Sequence, residues 1–254
     1  MINIQILANK SALGEAAAAC GATAIGSAIQ RRGVANIVIA TGASQFEMLA
    51  ALVRRGDVDW SRVTAFHLDE YIAMPPTHPA SFRRYLSERF VPHVPGLGAF
   101  HFIVGDAPDL AAELRRMDAL IAEHPIDVTF AGIGENGHLA FNDPPADFDA
   151  AGSFRVVALD ERCRRQQFGE GWFGQLADVP HEAISMTVPQ IMRSGVVVLS
   201  VPERRKAEPV RDALEGPVTP LVPASILQRH SACFLFLDPD SSTLLRRPAD
   251  PSVV

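Results

Sequence analysis

The sequence predicts an α/β fold in which a doubly wound, mostly parallel sheet carries helices on both faces. Short apolar runs alternate with longer helical patterns along nearly the whole chain of 254 residues. Residues 34–41 (VANIVIAT) form a β-branched run without polar alternation, which is typical of a strand covered on both faces. This alternation implies right-handed crossovers between parallel strands, as in Rossmann-like proteins. No repeat or long linker interrupts the pattern, so we expect a single domain over residues 1–254.

Each predicted element depends on its own pattern. Strands are predicted at short runs of apolar and β-branched residues, namely 2–8, 34–41, 63–68, 99–104, 126–132, 154–159, 184–187, 196–201 and 233–238. Helices are predicted at longer stretches with helical spacing or many alanines, namely 11–31, 44–55, 80–90, 109–123, 160–176 and 203–215. Residues 246–254 show little periodicity, and we expect them to lie on the surface.

Composition and charge argue against several classes of protein. The chain has 23 basic and 29 acidic side chains, and its net charge of −6 argues against a nucleic-acid-binding protein. The longest apolar runs fall far short of the ~20 residues that cross a bilayer, and no signal peptide is recognisable, so we expect no membrane association. Cys20, Cys163 and Cys233 are widely spaced and odd in number, which excludes a disulfide framework and a thiolate zinc site. We therefore expect a protein of the reducing cytoplasm.

A doubly wound sheet binds its ligands at the carboxyl ends of its strands, and one turn there is suited to an anion. Thr41, Gly42, Ala43 and Ser44 follow the VANIVIA strand and open a predicted helix. Gly42 permits close backbone approach and Ser44 can cap the helix, so the turn suits phosphate, although a plain helix cap explains the same residues. The turn matches neither GxGxxG nor GxxxxGK[ST], which removes the main support for a nicotinamide or P-loop nucleotide.

Two adjacent carboxylates, Asp69 and Glu70, follow the strand predicted at 63–68. Neighbouring residues of an extended chain point to opposite faces, so one carboxylate should face the cleft and the other should not. A carboxylate in the cleft can act as a general base on carbon. The alternative is a helix cap by Asp69, with Glu70 in the first turn of the helix.

The loop at 132–144 (GIGENGHLAFNDP) has three glycines within six residues, which demand unusual backbone angles. His138 lies among them, and Asn136 and Asp143 can orient its ring and set its proton. A histidine in this setting is a candidate acid/base group.

Charged residues around these loops allow two further interpretations. A metal site would use His67, Asp69, His138 and Asp143. No HExxH motif or close histidine pair supports it, and we expect no metal. The basic clusters at 162–165 and 204–206 are either solvated surface or a source of positive charge for a phosphate.

Taken together, the motifs resemble the glucosamine-6-phosphate deaminase/isomerase family, which shares its fold with the 6-phosphogluconolactonases. The resembling segments are ATGAS at 40–44, FHLDEY at 66–71, HPASFRRYLSERF at 78–90, GIGENGHLAFNDP at 132–144 and RRKA at 204–207. Lactonases resemble the chain in the GxxGH core but typically continue into an ASLFP-like segment, whereas this chain continues as AFNDP. The resemblance favours the deaminase branch, which converts glucosamine 6-phosphate and water to fructose 6-phosphate and ammonia without a cofactor.

The resemblance also implies roles for individual residues. Asp69 matches the carboxylate that moves a proton between C2 and C1 of the sugar, and His138 matches the histidine that assists ring opening. Asn136 and Asp143 stand at the positions of the partners that support the histidine. The implied substrate-binding residues are Thr41, Gly42, Ala43, Ser44, Glu70, Gly137, Arg165 and Lys206.

The chain departs from the family pattern at several positions. Asn136 stands where many members carry aspartate, Asp143 where glutamate is usual, and Gln45 where a proline usually follows the turn. Gln167 occupies the place of a phosphate-binding arginine, so this arginine is either absent or replaced by one of three candidates: Arg162, Arg164 and Arg165. Residues 145–154 lack the pattern linked to allosteric activation by N-acetylglucosamine 6-phosphate, so we expect no such activation.

Two other functions stay open at this point. One is a 6-phosphogluconolactonase or another sugar-phosphate isomerase of the same fold, and the other is a sensor domain that binds a sugar phosphate without turnover. The absence of an appended DNA-binding module weakens the sensor, and the presence of both Asp69 and His138 weakens any purely binding role. The expected partner is a small sugar phosphate. The sequence leaves the oligomeric state open, a homo-oligomer included.

Overall fold

The computed structural model describes residues 2–246, so the segment predicted to lie on the surface at 246–254 falls outside the described residues except for Arg246. The strands are β1 Asn3–Ile6, β2 Ala35–Ile39, β3 Val63–His67, β4 Asp69–Tyr71, β5 Ala99–His101, β6 Val128–Ala131, β7 Phe154–Ala158, β8 Glu182–Met186, β9 Val196–Val201 and β10 Cys233–Leu237. The α-helices are α1 Lys10–Arg32, α2 Phe46–Leu52, α3 Phe82–Arg89, α4 Leu110–Glu123, α5 Glu161–Gly169, α6 Val188–Met192 and α7 Ala207–Glu215. The expectation of a single domain over the whole chain stays a prediction.

The main sheet has seven strands in the order β1-β10-β9-β6-β2-β3-β5, and each neighbouring pair is parallel. The predicted parallel sheet is therefore confirmed. From β2 the chain first adds β3 and β5 on one side and later adds β6, β9 and β10 on the other. The strand order thus reverses between β2 and β6, and α/β sheets bind their ligands in the crevice at such a switch point.

Helices cover both faces of this sheet, as predicted. Successive residues of β2 point in opposite directions: Val38 packs into one hydrophobic layer, and Ile37 and Ile39 pack into the other. Residues of α1, α2 and α3 fill the layer of Ile37, and residues of α4, α6 and α7 fill the layer of Val38. A strand covered on both faces has no polar side, which explains why β2 shows no polar alternation.

A second, antiparallel sheet was not predicted. β4 pairs with β8, and β8 pairs with β7, in the order β4-β8-β7. The strands predicted at 154–159 and 184–187 do form, but they belong to this small sheet and not to the parallel one. Strand pairing is decided by tertiary contacts that a local pattern does not carry. The small sheet matters because β4 begins at Asp69.

Two helices differ from their predicted bounds in ways that shape the site. A 3₁₀ turn, Ala43–Gln45, precedes α2, so the regular helix begins later than predicted. The helix predicted at 160–176 ends at Gly169. Further glycines follow, and because glycine is a poor helix former they favour the end of the helix here. Glu170 therefore lies immediately beyond the end of α5.

α1 is long and apolar enough, by length and composition alone, to cross a membrane. In the structure it is a core helix that contacts α2 and the strands β2, β6, β9 and β10. Leu13, Ala17 and Ile25, on its inner face, are almost fully buried. Its apolar character is explained by this packing.

Candidate active site

Four segments meet at the carboxyl edge of the sheet, around the switch point between β2 and β6. They are the turn after β2, the start of β4, the loop after β6 and the turn after β9, and α5 closes the pocket beside them. Several of the predicted site residues line this pocket, namely Thr41, Gly42, Ser44, Asp69, His138 and Lys206. The structure thus brings the base candidate, the histidine and the lysine into one pocket.

Asp69 is a desolvated carboxylate in the pocket wall. Its side chain is 7% exposed, and Leu68, Phe82 and Phe141 line the pocket beside it. Burial raises the pKa of the Asp69 carboxyl from 3.8 to about 8, and the charges of Glu70 and Glu170 add to the increase. Among the described residues none donates a hydrogen bond to this carboxylate. Such a carboxylate is a stronger base toward a carbon-bound proton than one in water.

Glu70 lies behind the pocket wall and does not line the pocket. Its carboxylate is fully buried and accepts hydrogen bonds from the Ser81 hydroxyl (3.0 Å) and from the backbone N–H groups of Phe82 (3.2 Å) and Arg83 (2.9 Å). Burial raises the pKa of Glu70, and these bonds partly offset the increase. The alternation predicted for Asp69 and Glu70 agrees with this geometry. Because its oxygens accept hydrogen bonds from the start of α3, Glu70 stabilises the local structure. It does not lie in the pocket, where the prediction of substrate binding would place it.

His138 forms a pair with Asp143. The His138 Nδ1 and Asp143 Oδ1 atoms are 3.0 Å apart, and the His138 side chain is nearly buried. Burial raises the pKa of the Asp143 carboxyl, but hydrogen bonds from His138, Asn136 and the Asp160 backbone lower it by more, so the net shift is downward. An ionised carboxylate only accepts, so Nδ1 carries the proton. Nε2 is then the nitrogen that can take up and return a proton at the pocket.

Asn136 connects this pair to α5. Its amide nitrogen donates to Asp143 Oδ1 and to Asp160 Oδ2, each at 2.9 Å, and its oxygen accepts from the His138 backbone N–H at 3.1 Å. An aspartate here, as in many members of the resembling family, would place a third carboxylate against two others. The amide donor therefore suits this chain, in which Asp160 also caps α5.

The three glycines of the 132–144 loop serve different purposes. Gly137 has a positive φ of +83°, which favours glycine. Gly134 provides space, because a Cβ there would lie 2.2 Å from Nε2 of His138. Gly132 provides space in the same way, since a Cβ would lie 3.0 Å from the Ser44 hydroxyl oxygen. The prediction that all three adopt unusual backbone angles is therefore wrong for Gly132 and Gly134.

The turn at 41–44 differs in detail from its predicted form. Gly42 has a φ of −62°, and neither the 3₁₀ turn nor α2 has a side-chain cap, so Ser44 does not act as the predicted helix cap. Ala43 does not itself line the pocket, but its N–H donates at 3.4 Å to a carboxylate oxygen of Glu170, which does. The Gln45 side chain donates to the backbone oxygens of Ala131 and Ser200, each at 3.1 Å, which ties the turn to the ends of β6 and β9.

Lys206 is a nearly buried residue of the turn after β9, and it lines the pocket. It is 3% exposed, and within the described part of the chain its Nζ makes no hydrogen bond or ion pair. Burial lowers the pKa of Lys206 from 10.5 to about 8, and the charge of Arg205 contributes to the decrease. Arg205 also lines the pocket, but its guanidinium is already paired with Glu135 (2.9 Å) and Glu203. A cation that lines a pocket and makes no ion pair suits an anionic ligand.

The predicted replacement for the family arginine is not found in the pocket. Arg165 lies on the outer face of α5 in an ion pair with Glu161, and Arg162 and Arg164 bond to backbone oxygens elsewhere. The helix instead turns Gln166 and Gln167 inward. Gln167 accepts from the Tyr71 hydroxyl at 2.8 Å, and Gln166 accepts from the Glu135 N–H at 2.8 Å.

Of the four predicted metal ligands, the structure brings His138 and Asp143 together with Cys163, and His67 has a different environment. His67 is fully buried, accepts from the Ile103 N–H at 2.8 Å, and has a pKa lowered by burial to about 3. The ligand atoms of His138, Asp143 and Cys163 lie within 4.8 Å of one another. Burial raises the pKa of the Cys163 thiol well above its usual value. The expectation that the protein needs no metal stays a prediction.

The family can now be assigned by comparison with known proteins. The family model described as glucosamine-6-phosphate isomerases/6-phosphogluconolactonase matches residues 8–235. The chain belongs to this family. A glucosamine-6-phosphate deaminase of Exiguobacterium sibiricum is 38% identical over 83% of this chain and 81% of the relative. One of Lactobacillus delbrueckii subsp. bulgaricus is 32% identical over 96% of this chain and 100% of the relative.

Solved structures agree with this assignment. A structure described as a monomeric glucosamine-6-phosphate deaminase superposes with a TM-score of 0.86 at 28% identity, over 96% of this chain and all of that chain. A 6-phosphogluconolactonase of Shewanella baltica superposes with a TM-score of 0.78 at 18% identity, over 94% of this chain and 98% of that chain. The second likeness supports the fold alone.

Proposed function

We propose that the protein is a glucosamine-6-phosphate deaminase, which converts glucosamine 6-phosphate and water to fructose 6-phosphate and ammonia. The observation that carries the proposal is the presence of two different acid/base groups in one pocket, the desolvated Asp69 carboxylate and the His138–Asp143 pair. The similarity to deaminases at 32–38% identity over most of the chain supports it.

Ring opening is the proposed task of His138. The closed sugar must lose the proton of its C1 hydroxyl and gain one on the ring oxygen, and both transfers need a group that can accept a proton and then donate it. Nε2 of His138 can accept the first proton and return it to the ring oxygen, while Asp143 stabilises the imidazolium that forms in between. Asn136 holds Asp143 in place through the hydrogen bond that its side-chain amide donates to Asp143 Oδ1.

Proton transfer between carbons is the proposed task of Asp69. In the open-chain aldehyde the carboxylate removes the C2 hydrogen as a proton, while the aldehyde oxygen gains a proton that the substrate ammonium gives up. The carboxylate then returns its proton to C1, which leaves a hydroxyl on C1 and an iminium at C2. The positive charge of the substrate ammonium favours ionisation of Asp69 when the substrate binds, because opposite charges lower the pKa of a carboxyl. Water then adds to C2, and ammonia leaves as C2 becomes the ketone carbon of fructose 6-phosphate.

Phosphate binding is the proposed task of the turn at 41–44 and of Lys206. The backbone of Gly42, Ala43 and Ser44 offers N–H groups, and the buried Lys206 ammonium supplies the charge. Charge-assisted hydrogen bonds of this kind hold the end of the substrate far from C1 and C2, and they align the reacting carbons with Asp69. The cytoplasm is the proposed location, and free cysteines at Cys20, Cys163 and Cys233 support it.

Ammonia release tests the proposal directly. The purified protein is incubated with glucosamine 6-phosphate, and ammonia and fructose 6-phosphate are quantified in parallel with hydrolysis of 6-phosphogluconolactone. We expect equimolar ammonia and fructose 6-phosphate, no lactone hydrolysis above the spontaneous rate, and loss of ammonia release in Asp69→Asn. Lactone hydrolysis without ammonia release would assign the lactonase reaction, and binding of the sugar phosphate without either product would assign the sensor role.

A further inference from the structure

Glu170 is an acidic residue in the part of the pocket proposed for phosphate. It follows the last residue of α5 and lines the pocket together with Gly42 and Lys206. One of its carboxylate oxygens accepts from the Ala43 N–H at 3.4 Å, and the other accepts from the Gln166 amide at 3.3 Å. The Glu170 carboxylate thus already accepts from the Ala43 N–H, a backbone donor that would also suit an anionic ligand.

We propose that Glu170 stands in for the substrate phosphate in the unliganded pocket and sets the affinity for sugar phosphates by competing for the same donor. The proposal deepens the proposed function, on which it rests, by naming a residue that determines affinity for the phosphate. In the ligand-bound pocket the Glu170 side chain leaves the Ala43 N–H, and a phosphate oxygen takes its place beside Lys206.

The charges around the turn make this competition effective. Lys206 and Arg205 are the cations that line the pocket, and Arg205 is held by Glu135 and Glu203. Lys206 is therefore the cation that no ion pair holds, although the nearby carboxylates, Glu170 included, raise its pKa. Glu170 faces a phosphate that carries up to two negative charges. Two like charges that lie in one pocket repel each other. The Glu170 carboxylate therefore opposes phosphate binding in two ways: it occupies the Ala43 N–H, and it carries the same sign of charge.

The position normally held by an arginine strengthens the argument. Gln167 is committed to the Tyr71 hydroxyl, and Gln166 contacts Glu170 itself. This part of the pocket therefore receives two amides from α5 and one carboxylate from the residue that follows it. The segment that a phosphate-binding arginine would occupy in the resembling family thus carries negative charge here. Removing that charge should strengthen phosphate binding.

Inorganic phosphate is the probe, because its binding requires no turnover. Its dissociation constant is measured by calorimetry for the wild-type protein, Glu170→Gln and Glu161→Gln. Glu161→Gln removes the same charge from the same helix, but on the solvent-exposed face, where Glu161 pairs with Arg165. We expect Glu170→Gln to bind phosphate about tenfold more tightly, the size of one like-charge repulsion in a partly screened pocket. Glu161→Gln should stay close to the wild type.

A second variant and a second measurement keep the test decisive. Glu170→Ala, which removes the Ala43 contact without a replacement amide, should also bind phosphate more tightly than the wild type, and both Glu170 variants should show a lower KM for glucosamine 6-phosphate. Unchanged or weaker phosphate binding in both would overturn the proposal. If phosphate binding tightens but no variant releases ammonia, the proposed function fails and the role of Glu170 stands. If ammonia is released and the Glu170 variants leave phosphate binding and KM unchanged, the role of Glu170 fails alone.

Discussion

Replacing Asp69 by asparagine should stabilise the fold while it removes the proposed base. Burial raises the pKa of this carboxyl from 3.8 to about 8. The folded protein therefore holds a proton that the unfolded chain releases at much lower pH. Because the folded-state pKa is the higher one, the stability that this proton contributes is fully present below the unfolded pKa of 3.8 and is lost as the pH rises toward about 8. Asparagine does not titrate, so the variant avoids this loss.

The expected size follows from the pKa difference. One unit corresponds to about 1.4 kcal/mol, so between pH 5 and pH 8 the wild type should lose roughly 3.5 kcal/mol relative to Asp69→Asn. The loss is slightly smaller than three full units because the folded-state carboxyl is already half ionised at pH 8. This is a large part of a typical unfolding free energy of about 5–15 kcal/mol. Urea denaturation of both proteins at several pH values in this window measures it, and Asp149→Asn, at an exposed position, is the control. A stability difference between Asp69→Asn and the wild type that does not change with pH would refute the reasoning.

Three further predictions concern Lys206, the pH dependence of the reaction and Asn136. Lys206→Ala should weaken binding of both sugar phosphate and inorganic phosphate about ten- to a hundredfold, since a hydrogen bond to a charged group contributes roughly 1.5–3 kcal/mol. If the variant binds both ligands as tightly as the wild type does, Lys206 has no role in phosphate binding. The kcat/KM profile should be bell-shaped around pH 8, because Asp69 must lose its proton and Lys206 must keep its own, and both have pKa values of about 8. Lys206→Arg should move only the alkaline limb, to higher pH. If that limb does not move, it reports the titration of another group. Asn136→Asp should slow ammonia release more than Asn136→Ala, because the aspartate would face Asp143 and Asp160, and the opposite order would contradict the contacts described here.

The fold was predictable from the sequence where the signal is local. The five residues of β2 are all buried, so its apolar run identifies a strand covered on both faces. The small antiparallel sheet was not predictable, because β4 has three residues and its pairing with β8 depends on contacts distant in sequence. Strands β7 and β8 were recognisable as strands, but their partners were not.

The site was predictable to a similar extent. Asp69, His138 and Lys206 follow strands, and the rule that parallel strands end at one edge correctly places them in one pocket, although their roles stay predictions. Glu170 was missed because it follows a helix that ends earlier than its pattern indicates, and no pattern shows where a side chain beyond a helix end points. The inward position of Gln167 and the outward position of Arg165 depend on the orientation of α5 about its axis, which is fixed by packing.

Hydrogen exchange at C2 of the substrate tests the central claim most directly. Glucosamine 6-phosphate is incubated in deuterated water with the wild type or with Asp69→Asn, and the C2 hydrogen is followed by proton NMR together with ammonia release and phosphate binding. We expect the wild type to exchange the C2 hydrogen and release ammonia, and Asp69→Asn to bind phosphate normally while showing neither, since an amide cannot act as the base. Full C2 exchange in Asp69→Asn would remove Asp69 from the base role and contradict the account.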